Sequence, residues 1–372
     1  MADGGRTGPV GIGLIGAGNI STEYLRNLTA FPDVRVLAIG DLRADAARAR
    51  AEEFAVPISG EPDVVLGHPE VELVVDLTIP AAHGDVATAA ISAGKHVWNE
   101  KPLALDRVAA LDLLERATEG GLRVGCAPDT FLGEGLQAAR RLLDDGVIGQ
   151  PLTAVALMQS PGPDAWHPNP AFLFEEGAGP LFDIGPYYLT ALVQLLGPID
   201  RAAALGGIAR SERVVGSGSL AGTSFPVLTP SHVSGLLRFA AGPSAQVFFS
   251  FDAPAFRFAL EVTGTDGTLI LPDPNTFGGD ICIRRPDSQT EELVAATKAR
   301  SSRGTGVLDM ARAIRAGRPH RADGALGFHV LDVMTTLRRS VDEPTLVGIE
   351  SSVRRAEPLP AGWDPAAATL AG

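Results

Sequence analysis

The chain has 372 residues, a length that fits two domains. Its 31 Lys and Arg against 44 Asp and Glu leave a formal charge of −13 with no basic run, which argues against a nucleic-acid binder and against a polybasic membrane-surface protein. Hydrophobic residues at 45% and charged residues at 20% exclude intrinsic disorder, and two isolated cysteines, Cys126 and Cys282, support neither a disulfide framework nor a zinc site. Residues 1–8 read as a loose tail. Apolar strands are predicted at 10–15, 34–39, 73–77, 96–99 and 122–126, alternating with helices at 20–28, 44–54, 81–93 and 106–118. The strands are apolar throughout, as expected of a parallel sheet covered by helices on both faces. Beyond residue 128 the pattern changes to a helix at 135–145, a strand at 152–158 and a proline-rich stretch at 159–180. A helix at 186–196 follows, then strands at 232–240, 245–251, 257–263 and 268–271 and helices at 307–316 and 326–340. The expected fold class is α/β: a doubly wound Rossmann domain (1–128), an α+β domain with a largely antiparallel open sheet (129–345), and a C-terminal segment (346–372) that ends as a loose tail from Glu357.

The first strand runs into Gly16-Ala17-Gly18-Asn19-Ile20-Ser21. Gly16 makes a tight turn, Gly18 lets a pyrophosphate approach the backbone, and Ser21 is small enough for close helix–strand packing. The helix that opens at Asn19 and Ile20 presents unpaired N–H groups to a phosphate. A second Gly-x-Gly-x-x-Gly match, at Gly11, Gly13 and Gly16, lies inside the strand and cannot serve that purpose. Asp41, at the end of the second strand, stands where a carboxylate accepts the ribose hydroxyls of NAD, although it could simply start a turn. Arg43 beside it keeps NADP open, with NAD favoured. Of the basic residues, only Lys95, Lys101 and Lys298 are lysine. Codon bias is the plain explanation, but lysine also offers a compact charge whose pKa can be tuned, which draws attention to Lys101.

Further motifs follow in order: Pro80-x-x-His83, Gly94-Lys95-His96-Val97, Glu100-Lys101-Pro102, and a small-residue run from Gly177 that leads into Asp183-x-Gly185-x-Tyr187. Together with the glycine turn, they make the chain resemble the Gfo/Idh/MocA oxidoreductases over roughly residues 9–345. The resemblance implies an NAD(P)-dependent dehydrogenase acting on a CH–OH group of a sugar, cyclitol or glycoside. Two alternatives share the scaffold: a glycoside-cleaving or epimerising enzyme that retains NAD and oxidises transiently, and a catalytically silent ligand sensor. The resemblance gives Lys101 the catalytic lysine position and Asp183 the substrate-orienting position. Tyr187 stands where the family usually has histidine; glucose–fructose oxidoreductase also has tyrosine there. Glu100, Lys101, Pro102, Thr78, Pro80 and His83 are expected on the cofactor side, though His83 could instead cap its helix.

Removing a hydroxyl proton needs a base within hydrogen-bond reach. A free phenol, with a pKa of about 10, is too weak at neutral pH, and an ammonium such as Lys101 beside Tyr187 would favour phenolate. Asp183 could merely cap the next helix, and Tyr187 or Tyr188 could be core aromatics. In the proline-rich stretch, Trp166 and His167 are candidates to hold a sugar, with His167 the rival base; an ordinary surface loop is the plain reading. Asp129 and Tyr188 complete the expected substrate contacts. No metal ligand spacing is seen. The partners expected are a small sugar or polyol and further copies of the chain in a homodimer or homotetramer, with no nucleic acid and no membrane, in the cytoplasm.

Overall fold

The structure, a computed structural model, describes residues 6–288, 290–300 and 302–370. The chain divides into two compact units, one holding the segments up to Gly133, Ala299–Phe328 and from Ala356 onward, the other holding Glu134–Lys298 and His329–Arg355. The expected boundaries at 128 and 345 therefore change: the chain returns twice to the first unit.

The first unit begins β1 (Val10–Ile15), α1 (Asn19–Leu28), β2 (Val34–Gly40), α2 (Ala44–Phe54), β3 (Ile58–Gly60) and α3 (Asp63–Leu66). It continues β4 (Leu73–Asp76), α4 (His83–Ser92), β5 (His96–Asn99), α5 (Arg107–Glu119) and β6 (Val124–Cys126). The strands form a parallel sheet in the order β3-β2-β1-β4-β5-β6. β1, β4, β5 and β6 are buried at every residue, which accounts for their largely apolar character, with polar residues only at the ends of β4 and β5. The order reverses between β1 and β4, so the loops after these strands part and leave a crevice at their carboxyl ends. β3 and α3, three and four residues long, carry too little pattern to be read from sequence.

The second unit contains α6 (Glu134–Asp144), β7 (Pro151–Gln159), α7 (Gly179–Asp183), α8 (Gly185–Leu196), β8 (Ile199–Gly207), β9 (Glu212–Val214) and β10 (Ser224–Pro226). It continues with β11 (His232–Phe239), β12 (Ser244–Ser250), β13 (Arg257–Gly264), β14 (Gly267–Ile270), β15 (Gly279–Arg284) and β16 (Glu292–Thr297). The chain then forms α9 (Thr305–Ala316) in the first unit, α10 (Gly324–Asp342), which passes into the second at His329, and β17 (Val347–Gly348). Nine strands make one sheet in the order β16-β15-β14-β13-β7-β12-β11-β8-β17. All its pairs are antiparallel except β7 with β12. α8 is buried along its whole length, and β11 alternates buried and exposed residues, so one face of the sheet carries the core.

The expected loose C-terminus is instead docked within the first unit. Asp33, fully buried, accepts the N–H groups of Thr369 and Leu370 at 2.8 Å and the Thr369 hydroxyl at 2.7 Å. Arg312 reaches the same carboxylate at 2.7 Å, donates to the carbonyls of Asp364 and Ala367, and lies over the Trp363 ring. At the other terminus, Arg315 donates to Gly8 O at 3.0 Å; residues 1–5 of the expected N-terminal tail lie outside the described residues. Among the described residues, no helix is long and apolar enough to cross a membrane, and no group of three or more His, Cys, Asp or Glu could hold a metal ion.

Candidate functional site

Within the first unit, the expected cofactor residues gather at the carboxyl ends of β1, β2, β4 and β5. Gly16 has φ +105°, and a Cβ there would stand 2.6 Å from the Leu77 carbonyl. Only glycine fits this turn. Gly18 is exposed, with no atom within 4 Å of where its Cβ would be, so a ligand can lie directly against the main chain. No side chain caps α1, which leaves the N–H groups at Asn19 and Ile20 directed outward. Ser21 is fully buried and donates to Gly18 O at 2.6 Å. By contrast, Gly11 and Gly13 are packing glycines: their Cβ atoms would meet Glu70 O at 1.9 Å and Val65 at 2.5 Å.

Asp41 accepts from Ala17 N at 2.8 Å with one oxygen and from Arg43 N at 2.9 Å with the other. Each oxygen keeps a lone pair for a ligand hydroxyl. Arg43 is exposed at the start of α2. A glycine turn that excludes any Cβ, an open Gly18 and an uncapped helix terminus fit a dinucleotide pyrophosphate, and Asp41 fits its ribose. Gly16→Ala is expected to cost about 1–3 kcal/mol in backbone strain and to weaken nucleotide binding at least about tenfold, read by calorimetric titration.

After β4, Asp76 accepts both the N–H (3.0 Å) and the hydroxyl (2.6 Å) of Thr78, and Pro80 opens a short turn into His83. His83 is buried; its ring nitrogens lie 2.8 Å from Pro102 O and 3.2 Å from Thr78 O. It therefore binds protein carbonyls rather than capping its own helix. After β5, Glu100 accepts from the Tyr24 phenol at 2.6 Å and from Lys101 N at 3.0 Å. Burial, reinforced by Glu100, holds the Tyr24 phenol well above its usual range, so it stays a donor. Lys101 is half-buried. Asp76 and Tyr24 escaped sequence reading. The signal for Asp76 was a lone carboxylate in an otherwise apolar strand.

Two expected substrate contacts are corrected. Asp129 is fully buried and accepts from Gly304 N at 2.9 Å and Gly306 N at 3.0 Å, so it caps α9. Burial pushes its carboxyl up to about 6. Tyr188 is also fully buried, edge-on to Phe249, with its phenol donating to Asp273 at 3.4 Å. It is a core aromatic. Tyr187, one residue away, points about 100° round the helix and retains 7% exposure. Asp183 ends α7 and is half-buried.

The proline-rich stretch is anchored by Arg213, which sequence reading missed. This buried guanidinium donates to Pro161 O, Asp164, Phe251 O and Asp252 at 2.5–2.9 Å and lies over the Phe174 ring. Trp166 stands 69% exposed on that anchored loop. The His167 ring lies edge-on between Trp166 and Phe172, and its Nδ1 accepts from Asn169 N at 3.1 Å.

Residues 10–127 match the family described as "Oxidoreductase family, NAD-binding Rossmann fold", and residues 136–270 match the GFO/IDH/MocA C-terminal domain. The chain belongs to the Gfo/Idh/MocA oxidoreductases. Among its relatives, inositol 2-dehydrogenase of Salmonella paratyphi B is 32% identical over 144 residues, 38% of this chain and 43% of the relative, so the chain spans less than half that protein's length. The 1,5-anhydro-D-fructose reductase of Ensifer adhaerens is 29% identical over 75% of this chain and 81% of its own length. Among solved structures, levoglucosan dehydrogenase in complex with NADH has a TM-score of 0.78 at 19% identity, covering 92% of this chain and all of that one. That likeness shows a shared fold.

Proposed function

We propose that the protein is a cytoplasmic dehydrogenase that moves hydride between NAD and a secondary hydroxyl of a sugar, cyclitol or glycoside. The observation that carries this is the joint placement of the Gly16–Gly18 turn, the uncapped α1, Asp41 and Glu100-Lys101-Pro102 at the carboxyl end of one parallel sheet. The names of the inositol, anhydrofructose and levoglucosan relatives support the substrate class.

In this assignment Gly16, Gly18, Asn19 and Ile20 hold the pyrophosphate, and Asp41 accepts the adenosine ribose hydroxyls. A bound nicotinamide supplies the hydride acceptor or donor. Tyr187 takes the hydroxyl proton in oxidation and returns it in reduction, Lys101 stabilises the developing alkoxide, and Asp183 orients the substrate. Trp166 covers the apolar C–H face of the sugar. A carboxylate at Asp41 repels a 2′-phosphate, which favours NAD despite Arg43 nearby. Val155, Leu205 and Leu236 stand exposed on the face of the nine-stranded sheet away from its core, and we assign that face to assembly as a homodimer or homotetramer.

The test follows reduced-nicotinamide absorbance with NAD and NADP across aldoses, cyclitols, anhydrosugars and glycosides. NAD-dependent turnover is expected, and Asp41→Ala is expected to shift the preference toward NADP by about 10- to 100-fold, the worth of hydrogen bonds to a charged group. Turnover unchanged in Asp41→Ala overturns the ribose assignment.

A further inference from the structure

His83 is the first residue of α4 and is buried. Its two nearest polar contacts, Pro102 O at 2.8 Å from Nδ1 and Thr78 O at 3.2 Å from Nε2, are main-chain carbonyls, which only accept. A neutral imidazole has a single N–H and would turn a lone pair onto one of those oxygens. Both contacts are hydrogen bonds only when both nitrogens carry hydrogen. A cation buried in this way requires a counter-charge.

Asp76 is fully buried at the end of β4. Its Oδ1 serves Thr78, and its Oδ2 has no hydrogen-bond partner among the described residues. Burial lifts the carboxyl to about 6, and attraction to His83 is the largest influence opposing that rise. The other charge acting on Asp76 is Glu100, whose oxygens are taken by the Tyr24 phenol and Lys101 N.

We infer that a protonated His83, with Asp76 as its buried counter-charge linked through Thr78 rather than by direct contact, fixes the main chain on the C-terminal side of Lys101 and so positions its ammonium. Asp76 holds Thr78, the Thr78 carbonyl takes one side of the imidazolium, and the other side reaches across to Pro102. Glu100 holds Lys101's own N–H. The lysine backbone is thus fixed on both sides, by two different carboxylates acting through two different routes. His83 and Asp76 are positioning residues. Their catalytic consequence rests on the dehydrogenase assignment, whereas the charge pair itself does not.

The test separates the two. In the full-length protein labelled with 15N at histidine, a long-range 1H–15N spectrum at pH 7.5 is expected to show the His83 ring, identified as the signal missing from His83→Gln, with both nitrogens protonated. A single protonated nitrogen overturns the charge pair, whatever the protein catalyses. The three lysines, reductively methylated with 13C, give three side-chain signals, and Lys101→Arg identifies that of Lys101. This signal is expected to move in Asp76→Asn, and in the unsubstituted protein as pH falls through about 6; a signal that stays in place overturns the positioning link. The titration needs no variant, so misfolding of Asp76→Asn leaves it decisive. With an active substrate, Asp76→Asn is expected to lower kcat about 10- to 100-fold, leave the nucleotide KM within about twofold, and remove the acid limb near pH 6. A variant with unchanged kcat and an unchanged pH profile overturns the positioning role.

Discussion

Lys101→Met is expected to lower kcat by about 100- to 1,000-fold while leaving nucleotide affinity close to that of the unsubstituted protein. Methionine keeps the length and apolar body of the side chain but removes the ammonium. The Lys101 N–H to Glu100 and the Pro102 carbonyl to His83 are main-chain bonds and survive the change. The loss therefore reports the charge alone. Tyr187→Phe is expected to cost a further proton-transfer step, again about 100-fold or more. Steady-state kinetics with the active substrate, together with nucleotide titration by fluorescence, checks both. Full turnover in Lys101→Met would sink the dehydrogenase assignment, and full turnover in Tyr187→Phe would move the proton transfer to another group, with His167 first in line.

The second large effect concerns stability. Arg312→Leu leaves the Asp33 carboxylate, which is fully buried and closes the C-terminal segment onto the first unit, without its cation. Breaking a buried ion pair from one side costs about 3–5 kcal/mol, and the variant is expected to melt roughly 5–10 °C lower. Burial pushes the Asp33 carboxyl up, but the Thr369 hydroxyl, the Leu370 N–H and Arg312 outweigh it and hold the carboxyl below its usual value. A depressed carboxyl contributes fully above its unfolded value, about 3.9, and loses that contribution as pH falls through the folded one. The gap between the two proteins is therefore expected at neutral pH and to close in acid. Scanning calorimetry at several pH values checks this, with the exposed Arg26–Glu23 pair as the control whose removal leaves the melting temperature in place. Equal melting temperatures for Arg312→Leu and the unsubstituted protein would mean that the C-terminal segment is held by something else.

Much of the first unit was legible because its physics is local. A strand buried on both faces is apolar wherever no partner satisfies a polar group: Val10–Ile15 is apolar at every residue, and His96–Asn99 is polar only at its ends, where Arg123 N and Leu103 O pair with the side chains. Gly16 announces itself because its turn excludes a Cβ, and Asp41 because it ends a strand at the right distance from that turn. The short β3, the alanine-rich β8, β15 and the edge strands β16 and β17 were not legible. Their sequences carry little hydrophobic alternation, and pairing with neighbours defines them.

The sequence by itself determined the fold class, the order of the longer strands and helices, the glycine turn and the motifs that mark the family, since each depends on residues close together in the chain. Only the tertiary structure decided where polar groups find their partners. Asp129 looked like a substrate contact until Gly304 and Gly306, some 175 residues away, claimed one oxygen of its buried carboxylate. Tyr188 and Tyr187 are equivalent by type, and only the fold shows that Tyr188 packs edge-on to Phe249 and reaches Asp273. The C-terminus looked loose because it is rich in Ala, Pro and Gly with no hydrophobic period, yet Asp33 and Arg312 tie it down. A buried donor or acceptor must be satisfied by whatever the fold brings to it, and in these cases that partner lies far away in sequence, beyond the reach of any local pattern.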